Sequence, residues 1–365
     1  MADKNREIFA PPRQHEKKGD MIDRVNELPK PTRKKHTTIG LEDEDVLDLF
    51  HLMYLQRRFE ERAMQMYQKG KFGGFLHLYM GQEAVSAGTV YAMNDDDDII
   101  TAYRDHGWGL VRGVSAKKAM AELYGKKTGC SKGKGGSMHF ANVEENFWGG
   151  FGIVGGHIPL GGGIAFANKY KDNGRVTACF LGDGAVPQGS FHETMNMSKL
   201  WKLPVIYAIE NNGYAMGTSV WRHSTGELHE RAQAYGMDST VINGMDVFTV
   251  IEKMKEITEE VRDSSEPQLV EIRTYRYRGH SMSDPESYRS KDELNEYKKI
   301  DPIERIKKYM KDKDLADDEK IEDMENSIEE EVQEAMDFAD ESDFPDEEDL
   351  YKHVYAEDDD AIFHT

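Results

Sequence analysis

Between Arg175 and Arg276 short apolar runs alternate with amphipathic ones. RVTACFL (175–181), PVIYAIE (204–210), DSTVIN (238–243) and QLVEIRTYR (268–276) predict buried strands. GSFHETMNMSKLW (189–201), GELHERAQAYG (226–236) and DVFTVIEKMKEITEEVRD (246–263) predict the intervening helices. Short strands alternating with helices build a parallel sheet covered on both faces. Upstream, Val46, Leu49, Phe50 and Met53 fall at i, i+3, i+4 and i+7, which predicts a further helix. Residues 70–165 are rich in glycine, with eight in the fifteen positions from Gly149 to Gly163. Residues 1–40 are polar with four prolines and read as an arm; beyond Asp301 the pattern is helical and acidic. The expected organisation is an N-terminal arm (1–40), one α/β domain (41–300) and a helical acidic tail (301–365).

The charge distribution changes that picture little but excludes one class of partner. The net charge is -21. From Asp312 to Thr365 there are 24 acids and 3 bases, which leaves the rest of the chain with 44 of each. A neutral body with an acidic tail lacks the basic face that nucleic acid requires. The tail reads as a solvated, partly helical segment. No apolar run approaches the roughly 18 residues of a membrane helix, and MADKNREIFA resembles neither a secretory nor a transit signal. Two cysteines, Cys130 and Cys179, suit a reducing compartment and read as small buried hydrophobes. The cytoplasm is the expected location.

The chemistry sits where the apolar runs stop. One ends on Gly182-Asp183-Gly184 and the next on Asn211-Asn212, 26 residues later. Ligands of an open parallel sheet bind beyond the carboxyl ends of its strands. Neighbouring strands are about 4.8 Å apart, so oxygens from two adjacent ends converge. A carboxylate, an amide oxygen and a main-chain carbonyl suit Mg²⁺, which takes oxygen ligands at about 2.0–2.1 Å and shares them with phosphates. The flanking glycines let phosphates approach the backbone, and a helix opening near Gln188 presents free N–H groups to an anion.

This spacing resembles the signature of thiamine diphosphate enzymes. With TAYRDHGWGLVRG (101–113), KGKGGSMHF (132–140), GIVGGHIPLGGGIA (152–165) and TYRYRGHSMSDPESYRS (274–290), the chain is similar to the alpha subunits of the decarboxylating component of 2-oxo acid dehydrogenases, above all the pyruvate type, over about residues 40–310. The resemblance implies a thiamine-diphosphate-binding α/β fold. It implies Mg²⁺ held by the side chains of Asp183 and Asn212 and the main-chain carbonyl of Tyr214. Gly184, Ala185, Tyr103, Arg104 and His280 would meet the diphosphate, and Gly152 and Val154 the aminopyrimidine. His280 and His77 would serve catalysis, although a satisfied structural histidine is an equal reading of His77. Ser281 aligns with a serine that is phosphorylated in mitochondrial relatives. His106 and His139 read as structural.

The glutamate that activates the aminopyrimidine belongs, by the same resemblance, to a separate beta chain. It implies an α₂β₂ heterotetramer, inactive without the beta subunit, that decarboxylates a 2-oxo acid and passes the acyl group to a lipoyl transacylase core. Acetoin or a branched-chain 2-oxo acid are the alternative substrates. The triplet Gly150-x-Gly152-x-x-Gly155 fits a dinucleotide fingerprint by letter but follows ANVEENFW, which reads as non-strand, and this speaks against an NAD-binding fold.

Overall fold

The structure is a computed structural model and describes residues 20–352. The first half comprises α1 (Asp20–Glu27), α2 (Asp43–Gln68), α3 (Glu83–Ala92), β1 (Asp98–Ala102), α4 (His106–Val111), α5 (Ala116–Leu123), β2 (Phe147–Phe151) and α6 (His157–Lys171). Next come β3 (Thr177–Gly182), α7 (Gly189–Trp201), β4 (Val205–Asn211), β5 (Tyr214–Ala215), β6 (Thr218–Ser219) and α8 (Val220–His223). The last are β7 (Asp238–Asn243), α9 (Val247–Ser264), β8 (Gln268–Arg273), α10 (Lys291–Lys298), α11 (Pro302–Asp312) and α12 (Asp318–Glu341).

Six strands form one wholly parallel sheet in the order β2-β1-β3-β4-β8-β7. Successive residues of a strand face opposite ways, and the cores divide accordingly. Ala178 and Phe180 of β3 join Ile206 and Ala208 of β4 in a core shared with α2, α3, α9, α11 and α12. Cys179, Leu181, Tyr207 and Ile209 face the other way, against Ile158 and Ala165 of α6 and Phe191 and Met195 of α7. Two covered faces explain why β4 is buried throughout and apolar from Val205 to Ile209 instead of alternating. The order turns at β1: β2 lies on one side of it and β3 on the other, which makes the carboxyl end of this region a topological switch point.

Several expectations change. The stretch 226–236 forms a 3-10 segment, His229–Tyr235, not an α-helix, and it stops at Gly236 with φ +64. The segment before Gly150 is a strand after all: Phe147–Phe151 is the edge strand β2, so the glycine triplet does stand between a strand and a helix. Within the expected arm, Arg24 is buried with its guanidinium over Trp221, and Thr32 N donates to Thr249 Oγ1. Residues 1–19 lie outside the described residues. The expected tail is not merely solvated. Ile321, Ile328, Val332, Ala335 and Met336 of α12 are buried in the first core while its acids face out. The acidic run Glu357–Asp360 lies outside the described residues.

Candidate functional site at the carboxyl ends of the strands

Five strands end on residues singled out above. β1 is followed by Tyr103 and Arg104, β2 by Gly152 and Val154, β3 by Asp183, β4 by Asn212 and Tyr214, and β8 by the segment leading to His280. β3 and β4 are direct parallel neighbours, with Gly182 opposite Glu210, so the Gly-Asp-Gly and Asn-Asn ends lie side by side. Asp183 opens a short 3-10 turn through Ala185 and is 1% exposed.

The glycines here have separate reasons. A Cβ on Gly184 would lie 2.7 Å from Ala215 Cβ, so the β5–β6 hairpin, not only a ligand, requires the small residue. Gly213 takes φ +89 and turns the chain from β4 into that hairpin. A Cβ on Gly182 would meet nothing.

The donor set at the turn is oriented. Asn212 Nδ2 donates to Gln82 Oε1 (3.1 Å), which leaves Oδ1 as the acceptor for Tyr214 N (3.3 Å). Arg276 Nη1 donates to Asn212 Oδ1 (3.3 Å) and to the Tyr214 carbonyl (3.0 Å). Two of the three oxygens expected to hold a metal are thus already bound by a cationic group. Arg276 stands in TYRYRGHS, a motif quoted above, three residues past the end of β8, and that place beyond a strand end is its sequence signal.

Arg104 is buried and donates to the carbonyls of Leu78 (2.7 Å) and His280 (2.9 Å). Among the described residues neither Arg104 nor Arg276 forms an ion pair. Burial, and then the charge of Arg276, hold the Arg104 guanidinium below its usual value. Arg104 and Arg276 thus bring two buried guanidiniums near one another, and a guanidinium fork suits an anion.

Three rings from three motifs meet beside this pair. His77 and Tyr103 are 4.7 Å apart, His77 and His280 5.1 Å, and Tyr103 and His280 5.5 Å between centroids. Burial, followed by the Arg104 charge, lowers His280 to about 3 and His77 to about 2, so both are neutral imidazoles near pH 7. The buried Nδ1 of His77 has no partner among the described residues. The loop behind His280 is braced: its N–H donates to Asp284 Oδ2 (2.6 Å), Tyr288 Oη donates to the same oxygen, and Arg276 Nη2 reaches Tyr288 Oη. Among the described residues Ser281 Oγ pairs with Ser283 Oγ, on the exposed side.

His106 is fully buried between Glu60 and Ser137. Burial alone would lower it, but Glu60 leaves it raised. His139 Nδ1 bonds the Gly150 carbonyl. A second acidic group, Glu227, His229 and Glu271, has metal-like spacing. Arg273 already donates to both acids, at 2.6 and 3.0 Å, which makes it an internal ion-pair network.

Gly152 and Val154 differ from the rest. They follow the edge strand, and Ile153 and Val154 are 79% and 43% exposed. The exposure continues over Leu160, Phe166 and Tyr170 of α6 and Met197, Leu200 and Trp201 of α7.

A family model described as "Dehydrogenase E1 component" matches residues 51–348. A Rickettsia bellii protein named "Pyruvate dehydrogenase E1 component subunit alpha" is 46% identical over 314 residues, 86% of this chain and 96% of its own length. The protein of that name from Rhizobium meliloti is 46% identical over 330 residues, 89% of this chain and 95% of its own. A rice relative, "Pyruvate dehydrogenase E1 component subunit alpha-3, chloroplastic", is 43% identical over 324 residues, covering 86% and 76%. With this coverage and identity, the chain belongs to the dehydrogenase E1 component family.

Proposed function

We propose that this chain is the alpha subunit of a thiamine-diphosphate-dependent pyruvate dehydrogenase. The observation that carries the reading is the convergence, at one end of one sheet, of residues from five separate motifs. The names of the relatives supply the substrate.

Asp183 and Asn212, through side-chain oxygens, and Tyr214, through its carbonyl, would hold Mg²⁺. The fit is chemical: all three are hard oxygen donors, and Arg276 already draws on two of them as a cation would. Arg104, Tyr103, His280 and the Gly184–Ala185 backbone would hold the diphosphate. Arg104 and Arg276 lack carboxylate partners among the described residues, which suits a doubly anionic group. Gly152 and Val154 would receive the aminopyrimidine. When bound, thiamine diphosphate supplies the nucleophilic carbon and the electron sink that a 2-oxo acid needs to lose CO₂.

His77 and His280 are the proposed catalytic residues. As neutral imidazoles each offers one N–H and one lone pair, so either can hydrogen-bond a substrate oxygen or move a proton at a ring nitrogen. Tyr103 fixes their mutual angle. Ser281 lies on the exposed side of the same loop, where an added phosphate would repel a bound diphosphate.

The proposed partners are a beta subunit, in an α₂β₂ assembly, and a lipoyl-bearing transacylase core as acyl acceptor. The exposed apolar face around Val154, α6 and α7 supports a missing partner chain. No helix among the described residues is long and apolar enough to cross a membrane; the proposed setting is the cytoplasm. The test is calorimetric titration of the co-expressed alpha–beta assembly with thiamine diphosphate and Mg²⁺, followed by assay with pyruvate, acetoin and 3-methyl-2-oxobutanoate. Saturable binding with turnover of pyruvate is expected. Absence of binding heat would remove the cofactor assignment, and preference for another substrate would remove pyruvate alone.

A further inference from the structure

We propose that His223 is a positioning residue for the metal-holding carboxylate, an inference that rests on reading Asp183 as a metal ligand. His223 stands in GTSVWRHST, outside every motif that carries the family resemblance. Its Nε2 lies 3.0 Å from Asp183 Oδ2. The side chain is 14% exposed, and its buried Nδ1 has no partner among the described residues.

The fold delivers His223 to this point in three steps. Gly213 reverses the chain after β4. Tyr214 and Ala215 pair antiparallel with Ser219 and Thr218, close enough to the 183–185 turn that Gly184 must lack a Cβ. Val220 then donates its N–H to the Gly213 carbonyl (2.9 Å) and buries its side chain, which starts the single turn of α8. His223 is the last residue of that turn and projects back onto Asp183. Downstream, Arg231 fixes Ser224 and Thr225 by two hydrogen bonds of 2.7 and 2.6 Å.

A carboxylate that gives one oxygen to a cation leaves its other oxygen in need of a donor. A buried oxygen left without one loses its hydrogen bond to water uncompensated, and the carboxylate can then rotate the ligand oxygen out of place. The Nε2–H of a neutral imidazole satisfies Oδ2 and fixes the carboxylate plane, with Oδ1 left for the metal. The neutral ring suffices, since one N–H is all the contact needs. Asn212 has the matching arrangement, because Gln82 accepts from its Nδ2 and so orients its Oδ1. Each side-chain ligand therefore has one orienting neighbour, and such neighbours typically govern metal affinity by 10–100-fold.

The experiment is a Mn²⁺ titration of the alpha–beta assembly in the presence of thiamine diphosphate, with free Mn²⁺ read by its paramagnetic resonance signal. His223→Ala is expected to weaken Mn²⁺ about tenfold. His223→Gln, whose amide N–H has the reach of Nε2, is expected to recover most of that loss, a rescue that a purely structural role would not give. Melting temperature without metal should be the same in all forms. Should the alanine variant fail to fold, His223→Asn against His223→Gln makes the same comparison, since the two differ in reach. Mn²⁺ affinity in His223→Ala equal to or tighter than wild type overturns the inference, the tighter case meaning that His223 competes with the metal. Asp183→Ala in the same titration separates the two readings: if it binds Mn²⁺ like wild type, Asp183 is no ligand and the cofactor reading fails first.

Discussion

The two ends of the proposed cofactor site are built differently. At the Asp183 end each proposed ligand is held from a neighbouring element: Gln82 on Asn212, Arg276 on Asn212 and Tyr214, and His223 on Asp183. At the Val154 end the chain offers an edge strand and an exposed Ile153–Val154 pair, and between that strand and α6 runs a groove of about 440 Å³ lined by Trp148, Phe151, Leu160 and Ile164 and, farther along, by Asp98 and Arg175. One end is finished by this chain alone, and it buries charge to do so. The other is finished by whatever covers that face. The difference gives a physical reason for a subunit that binds a cofactor by its charged end and depends on a partner for the ring.

The comparison breaks most visibly at the closed end. Asp183→Ala removes a carboxylate ligand, and cofactor affinity in the assembly should fall by a factor on the order of a thousand, about 4 kcal/mol, with the circular dichroism spectrum unchanged. Calorimetry checks this; an affinity within tenfold of wild type rejects the metal assignment.

Next in size is a stability effect beneath the same corner. Burial raises Glu210 from its ordinary 4.5 to about 7. Between those values the native state holds a proton that the unfolded chain has released. This group's contribution to stability is therefore full below about pH 4.5, declines as pH rises and is gone above about pH 7. Glu210→Gln keeps the acceptor for Tyr79 Oη and removes that slope. The variant should match wild type in acid and exceed it by up to about 3 kcal/mol at pH 8, as read by urea unfolding across pH. Parallel curves for the two proteins would show that Glu210 titrates normally.

Arg104→Gln should raise the cofactor dissociation constant about 30-fold, or about 2 kcal/mol, the worth of a charged hydrogen bond. Stability without cofactor should change by less than about 1 kcal/mol, because the lost charge was buried beside Arg276. A large loss of cofactor-free stability would recast Arg104 as a structural brace. The smallest effect on the free chain is expected at the open end. Ile153→Asp should leave its unfolding within about 0.5 kcal/mol and weaken alpha–beta association about tenfold in sedimentation velocity. Undiminished association would move the partner to another face.

Much of this was legible because buried parallel strands leave unmistakable apolar runs. β3, β4, β7 and β8 are such runs, and the proposed metal corner sits at the ends of two of them. β1 and β2 were not read, since each has five residues and β2, FWGGF, is two-fifths glycine. Gly150 serves packing there: a Cβ would overlap the Asp105 carboxylate, a contact 45 positions away in sequence. The helix expected at 226–236 fails because only Leu228 and Ala232 of that stretch are buried, too few anchors to hold a longer amphipathic helix against the sheet. Arg276, Gln82 and His223 escaped for a common reason. Orienting residues are defined by what they touch across the fold, and none belongs to the spacing that marks the ligands.

The proposed chemistry requires a metal held between the ends of β3 and β4. Anomalous diffraction from crystals of the alpha–beta assembly soaked with Mn²⁺ and thiamine diphosphate tests it most directly. The predicted result is one strong peak per alpha chain, bridged by Asp183, Asn212 and the Tyr214 carbonyl, with the ring end of the cofactor reaching Gly152 and Val154. A peak at Glu227, His229 and Glu271 instead, or none at the strand ends, would contradict it.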